Sequence, residues 1–354
     1  MGGGHVILCC GPDFSPAGRV CGFLEEISQF VAAGGRSAAA EHAAWHRLAR
    51  RALCNSEAPL MRYAFLSDVH GNLTALRAVF QDIDTVSRQV GVRVDQIWCL
   101  GDIVGYGPEP GACVELISRR CDISVAGNHD WAAIKKIDLG DFSEAAANSA
   151  TWTRERLTTV GFNYLKSLRD TTNIGHFTLS HGSPYDPIWE YLTTHDAAAN
   201  SFQYFDTMFC VVGHTHLPTI FIQRMMDRTA PMRAAARNLN RKVALTMAIA
   251  GGPTRGSLEA DEFSTASRLP ATTGCERWQP TPGLWRIPPD HRAIINPGSV
   301  GQPRDGDPRA SYVIYDSAQG FEFRRVPYDI ADTQRKIYEL GLPARLAERL
   351  ATAN

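Results

Sequence analysis

The chain has no long apolar run, no paired-cysteine motif and almost no net charge. No stretch approaches the ~18–20 apolar residues that cross a bilayer, so no membrane contact is expected. The opening MGGGHVILCC has no basic segment ahead of its short apolar run, and a secretory leader is not indicated. Gly2 would suit myristoylation, but Val6 stands where Ser or Thr is wanted. A formal charge of −1 gives no global field for nucleic acid or anionic lipid. The nine cysteines are odd in number and include no Cys-x-x-Cys. Cys99 and Cys210 interrupt strand-like apolar runs, as buried thiols would, and a reducing cytoplasm is the expected location. Gly298-Ser299-Val300-Gly301 is not a Gly-x-Ser-x-Gly elbow, so no serine nucleophile is indicated. The glycines of 251–256 lack the Gly-Lys-Ser/Thr end of a phosphate loop.

What is present suits a globular chain: 354 residues, 44% apolar and 21% charged, enough for one large domain or two ordinary ones. Residues 1–60 mix Gly, Ala, Cys, Arg and His, with helical spacing only around Ser37–Ala52. They read as an N-terminal extension, disordered or absent from the native protein, with Met61 as the functional start.

From Met61 strands and helices alternate. Tyr63–Leu66 suits a buried strand, and Leu73, Leu76, Val79, Phe80, Ile83, Val86 and Val90 recur at helical spacing. Gln96–Leu100 and Ile123–Ala126 read as further strands around a helix at Ala112–Arg120. Residues 131–175 read as a helical cap, and Phe177–Ser180 and Phe209–Val212 as two more strands. Residues 223–285 carry more Lys and Arg than Asp and Glu, with many Thr, Pro and Gly; they read as a loop-like insertion with one strand-like patch at 243–250. Without aromatic interleaving this is a solvated loop rather than a nucleic-acid arm. Ala293–Asn296, Ser311–Tyr315 and Gly320–Val326 are expected to close a second sheet, and 331–354 form a helical tail.

Five apolar runs end in polar clusters: Asp68-Val69-His70, Gly101-Asp102, Gly127-Asn128-His129-Asp130, His181-Gly182, and Gly213-His214-Thr215-His216. Open α/β sheets bind ligands just beyond the carboxyl ends of their strands. Asp68 and His70, two apart, can face one point. Each cluster alone has a plain explanation, since Asn128 after Gly127 suits a turn and a strand-end histidine is often merely hydrogen-bonded. Together Asp68, His70, Asp102, Asn128, His181, His214 and His216 supply two carboxylates, an amide and four imidazoles. One ion seldom takes seven such ligands; two ions sharing a bridging carboxylate would.

On these motifs the sequence resembles the calcineurin-like metallophosphoesterases over most of 61–222 and again at 294–330. GDIVGYGP (101–108) and NPGSVGQPRDGDPRASY (296–312) are similar to the bacterial and archaeal phosphodiesterase branch. The resemblance implies an α/β fold, a two-sheet β-sandwich flanked by helices in four α/β/β/α layers, spanning 61–330. It implies one divalent ion on Asp68, His70, Asp102 and His216. A second would sit on Asp102, Asn128, His181 and His214, with a bridging hydroxide attacking phosphorus. The mixed oxygen and nitrogen set suits Mn, Fe or Zn better than Ca. It implies that His129 stays off the metals and serves the leaving oxygen. Arg304 is a candidate phosphate grip and Arg309 a weaker one.

The resemblance has departures. Gly105 stands where protein serine/threonine phosphatases carry the acid that orients this histidine, and Ala126 and Tyr106 stand where those enzymes place arginines. A purple acid phosphatase would want Tyr at 105. The expected partner is a small phosphate ester, nucleotide-type by branch analogy, and not nucleic acid. The alternatives are a protein phosphatase, a nucleic-acid processing role for the basic insertion, and a non-catalytic scaffold of the same fold. The reading of Met61 as the start predicts that the protein isolated from its source has a mass counted from that residue; intact-mass spectrometry giving the full 38.9 kDa would refute it.

Overall fold

The structure, a computed structural model, describes residues 60–89, 93–225 and 274–354. The expected helix at Ser37–Ala52, the 1–60 extension, Val90, the strand-like patch at 243–250 and most of the insertion lie outside the described residues. The first half runs β1 (Arg62–Leu66), α1 (Leu73–Gln89), β2 (Gln96–Cys99), α2 (Pro110–Arg120), β3 (Ile123–Ser124), α3 (Asn128–Ala133), α4 (Glu144–Arg154) and α5 (Thr159–Ser167). It continues with β4 (Thr171–Ile174), β5 (Phe177–Ser180), α6 (His195–Ser201), β6 (Phe209–Val211) and β7 (Thr219–Arg224). Then come β8 (Cys275–Trp278), β9 (Gly283–Trp285), β10 (His291–Asn296), β11 (Ala310–Asp316), β12 (Gly320–Val326), α7 (Ile330–Glu339) and α8 (Ala344–Thr352).

These strands make two six-stranded mixed sheets, ordered β3-β2-β1-β11-β12-β9 and β4-β5-β6-β10-β7-β8. β1, β2 and β3 are parallel, as strands joined through the crossover helices α1 and α2 must be. Alternation along the strands builds the layers. In β1, Ala64 and Leu66 pack with Leu76, Val79, Phe80 and Ile83 of α1 on one face, while Phe65 faces the opposite sheet with Trp98, Phe177, Val211 and Ile295. The second sheet turns Cys210, Phe221 and Ile294 outward against Phe202 and Phe205 at the end of α6. The result is four layers, helices outside and two sheets within.

Two expectations are corrected. The 311–326 hairpin does not close the second sheet. β11 pairs antiparallel with β1 in the first sheet, Tyr63 opposite Tyr315, and only β10 joins the second. The reason is amphipathic: Val313 enters the inter-sheet core while Tyr312 and Ile314 cover α1, a pattern that only a strand beside β1 satisfies. The loop-like reading of 223–285 fails at its far end, where β8 and β9 add one edge strand to each sheet. Their short mixed sequences, CERW and GLW, carry too little alternation to stand out. No described helix is long and apolar enough to cross a membrane.

Phe177 is the hub between the sheets: its ring centroid lies 5.0–5.8 Å from those of Tyr63, Phe65, Trp98, Phe209 and Tyr315. Replacing it with Ala should lower the unfolding free energy by about 3–5 kcal/mol. Urea denaturation showing a loss under 1 kcal/mol would contradict this packing.

Candidate metal centre

The loops that leave β1, β2, β5 and β6 meet at one edge of the two sheets. They are stitched by their own backbones: Asp68 N donates to Gly101 O (3.1 Å), His70 N to Asp102 O (2.8 Å), Gly213 N to His181 O (2.8 Å) and Gly301 N to Asp68 O (2.9 Å). The stitching holds non-glycine residues in the left-handed region: Asp68 (φ 53°), His70 (49°), Asp102 (49°), His214 (66°) and His216 (60°). Each such conformation costs about 1–3 kcal/mol and persists only where its surroundings over-determine it. Local small residues permit the closeness. A Cβ on Gly127 would overlap the Asp102 carboxylate and stand 2.5 Å from its amide nitrogen.

The side chains converge. His70 Nε2 lies 3.0 Å from His216 Nε2 and 3.6 Å from Asp102 Oδ2, and His216 Nε2 lies 3.3 Å from Asp68 Oδ1. On the other side of Asp102, His181 Nε2 lies 3.2 Å from Oδ2 and 3.1 Å from His214 Nδ1. Asp102 therefore stands between two histidine pairs. His129 donates its backbone N–H to Asp102 Oδ1 at 2.9 Å, which sets Asn128 beside the cluster. All are buried.

The donor set fits cations. The Nδ1 atoms of His70, His181 and His216 face the carbonyls of Val104 (3.2 Å), Leu100 (2.8 Å) and Gln302 (2.5 Å), so each Nδ1 carries the proton. The Nε2 atoms of neutral His70 and His216 then present lone pairs inward, as that of His181 would once a cation displaced its proton. Two lone pairs at 3.0 Å, flanked by carboxylates, repel unless a positive charge lies among them. Asn128 Oδ1 is buried without a partner, a cost that a cation offsets. Three overlapping groups have the spacing to hold an ion: Asp68, His70 and His216; His70, Asp102 and His129; Asp102, His181 and His214.

Electrostatics follow from burial. Burial pushes Asp102 up, but His181, His129 and His70 hold it well below the usual carboxylate range. Asp68 is likewise held down, against burial, chiefly by His216. Burial lowers His70 far below its ordinary value, His129 to about 4 and His214 to about 3; burial and Arg304 lower His216. His181 is the exception: burial opposes its charge, yet the Asp102 carboxylate raises it to about 9.

Several residues escaped the sequence reading. Asp130 ties two loops together, accepting from Ile103 N and Val104 N (2.9 and 3.1 Å) and from Gly127 N (3.0 Å). Its burial, with Asp102 nearby, raises it to about 7. Its place beside Asn128-His129 was the only available signal. Asn296 donates to Gly213 O and Thr215 Oγ1, bracing the last histidine loop. Among the described residues no carboxylate pairs with His129; its ring lies among Tyr106 (4.4 Å), His70 (5.0 Å) and Phe142 (5.1 Å). Arg304 does reach the site, where its charge acts on His129 and His216. Arg309 instead forms an exposed ion pair with Asp307 through Nε (2.9 Å) and Nη2 (2.6 Å).

A model of the calcineurin-like phosphoesterase family matches residues 61–218. An uncharacterized protein of Methanocaldococcus jannaschii is 34% identical over 293 residues, covering 81% of this chain and 96% of that one. Among solved structures, a metallophosphoesterase from Sphaerobacter thermophilus is 40% identical, covers 83% of this chain and all of its own, and superposes with a TM-score of 0.61. A hypothetical protein from Pyrococcus horikoshii, 16% identical, shares the fold over 83% of this chain and 99% of its own, with a TM-score of 0.57.

These shifts fix a pH dependence for the metal-stripped protein. Four imidazoles have folded values below their unfolded ~6.5, so the unfolded chain binds more protons and stability rises with pH up to ~6.5. Raised Asp130 alone opposes this between its unfolded value and about 7. Above ~6.5, raised His181 loses its contribution as pH approaches about 9. The urea midpoint in chelator should peak near pH 6.5; a midpoint that falls steadily from pH 5 would contradict the burial of neutral imidazoles.

Proposed function

The chain belongs to the calcineurin-like phosphoesterases, and from that premise we propose that it hydrolyses phosphate mono- or diesters at two divalent cations sharing Asp102. The observation that carries this reading is the pairing of inward-facing histidine nitrogens on both sides of one carboxylate, 3.0 and 3.1 Å apart. Asp68, His70, Asp102 and His216 would hold one cation, and Asp102, Asn128, His181 and His214 the other. Bound there, Mn, Fe or Zn would lower the pKa of a water and polarise the phosphoryl oxygens.

The chain's own residues supply the rest. His129, held at about 4 by burial, is neutral at working pH, so it donates a hydrogen bond to the leaving oxygen rather than carrying a full charge. Arg304 adds a guanidinium to the phosphate side. The protein phosphatase alternative loses ground at position 105, where any Cβ would come within 2.5 Å of His129 Nδ1. An acid there would have no room beside this imidazole. A nucleotide-type ester is favoured because Tyr185, in the loop after His181, and Tyr191, whose ring packs on His214, are each about half exposed and could offer stacking surface. The described cysteines are all free thiols, which suits a cytoplasmic setting.

Turnover of p-nitrophenyl phosphate or its bis ester by the manganese-loaded protein is expected; hydrolysis of neither would favour the scaffold. Asp102→Asn should lose bound metal and turnover together, whereas His129→Gln should keep its metal and lose about 10²–10⁴-fold in kcat. Metal analysis beside the assay separates the two, and an Asp102→Asn protein with full activity would refute the shared carboxylate.

A further inference from the structure

The acids and histidines account for one side of the site. Facing them are three side chains whose placement the metal ligands do not explain. The first is Tyr106, a bulky residue held at φ +56°, where side chains seldom go. Its ring lies 4.7 Å from that of His70 and 4.4 Å from that of His129. Its amide donates to Ser149 Oγ of α4, and its outer flank packs against Ile337, Leu346 and Leu350 of α7 and α8. Four elements thus cooperate to keep one phenol over two site imidazoles. The second is Tyr191, half exposed, whose ring lies 3.9 Å from that of His214 at 33°.

The third is Arg304. Its Nη2 donates to Gln302 Oε1 at 3.1 Å, but its Nε is buried without a partner. Among the described residues no carboxylate lies within ion-pair distance of it, in a protein where Arg62, Arg324 and Arg325 all have one. Its charge acts on Tyr106 and Tyr191. A buried donor and an unbalanced guanidinium beside two phenols, which keep their protons at neutral pH, make a surface of donors awaiting an anion.

We propose that Tyr106, Arg304 and Tyr191 form an oxyanion-binding arc over the acid–histidine cluster, taking the phosphoryl oxygens of the substrate that face away from the ligand loops. The inference deepens the phosphoesterase reading and rests on it. Tyr106 and Tyr191 would be substrate-binding residues, and the free half of the Tyr191 ring would remain for the organic part of the ester. The strained backbone at Tyr106 then has a use: a relaxed φ would swing the phenol off His129.

The test is calorimetric titration of inorganic phosphate into the full-length, manganese-loaded protein and its Tyr106→Phe and Tyr191→Phe variants. Each variant removes one oxygen and keeps the ring, so packing is retained. Each should bind phosphate about tenfold more weakly, as loss of a hydrogen bond to a charged group predicts. Metal content and thermal midpoint should match the parent. Phosphate affinity within twofold of the parent in both variants would overturn the arc, as would a parent that binds no phosphate. A variant that loses metal would also overturn it, since the tyrosine would then be bracing a ligand. A protein that binds phosphate through these hydroxyls yet hydrolyses no ester would keep the arc and remove the enzymatic reading.

Discussion

Everything at the strand ends depends on one electrostatic constraint. Two carboxylates and four imidazoles are buried together, with like lone pairs facing one another. Charges removed from water cost several kcal/mol each unless partnered. The fold answers in two ways. It turns the Nδ1 protons of His70, His181 and His216 outward onto carbonyls, fixing which nitrogen faces in. It also satisfies the Asp68 carboxylate from the His214 backbone, so part of the anionic charge is balanced without spending a ligand nitrogen.

The sandwich is what makes such a site affordable. Asp68 and Asp102 arrive on the first sheet, while His181, His214 and His216 arrive on the second. Neither sheet alone carries all of the candidate ligands. The aromatic cluster around Phe177 holds the sheets at the separation that brings the two sets within 3–4 Å. Stability and chemistry are therefore coupled through the inter-sheet core rather than through the loops alone.

Much of this was legible beforehand because it rests on short-range rules. A strand that ends in Asp-x-His or Gly-His-x-His announces both its own end and its chemistry, and short apolar runs marked β1, β2, β5 and β10. What was not legible depends on long-range choice. Nothing local in Ser311–Tyr315 says which sheet it will join; the decision lies in the fit of Tyr312 and Ile314 to a helix more than two hundred residues earlier. Cys275–Trp278 and Gly283–Trp285 are edge strands too short to show a period. Tyr106 and Tyr191 looked like any other tyrosines, since only the fold places them over imidazoles. Arg309 illustrates the converse: a promising residue type whose neighbour two positions away claims it.

The Asp68 loop is pinned by Gly301 N and Ser299 Oγ, and β1 is flanked by β11. The first described strand thus waits for residues more than two hundred positions further along the chain. A chain emerging from the ribosome can form α1 and α2 locally, but the sheet edge at β1 stays open until β11 has been translated. Folding of this centre accordingly follows the synthesis of β11, and the exposed edge of β1 is where a chaperone would have the most to protect.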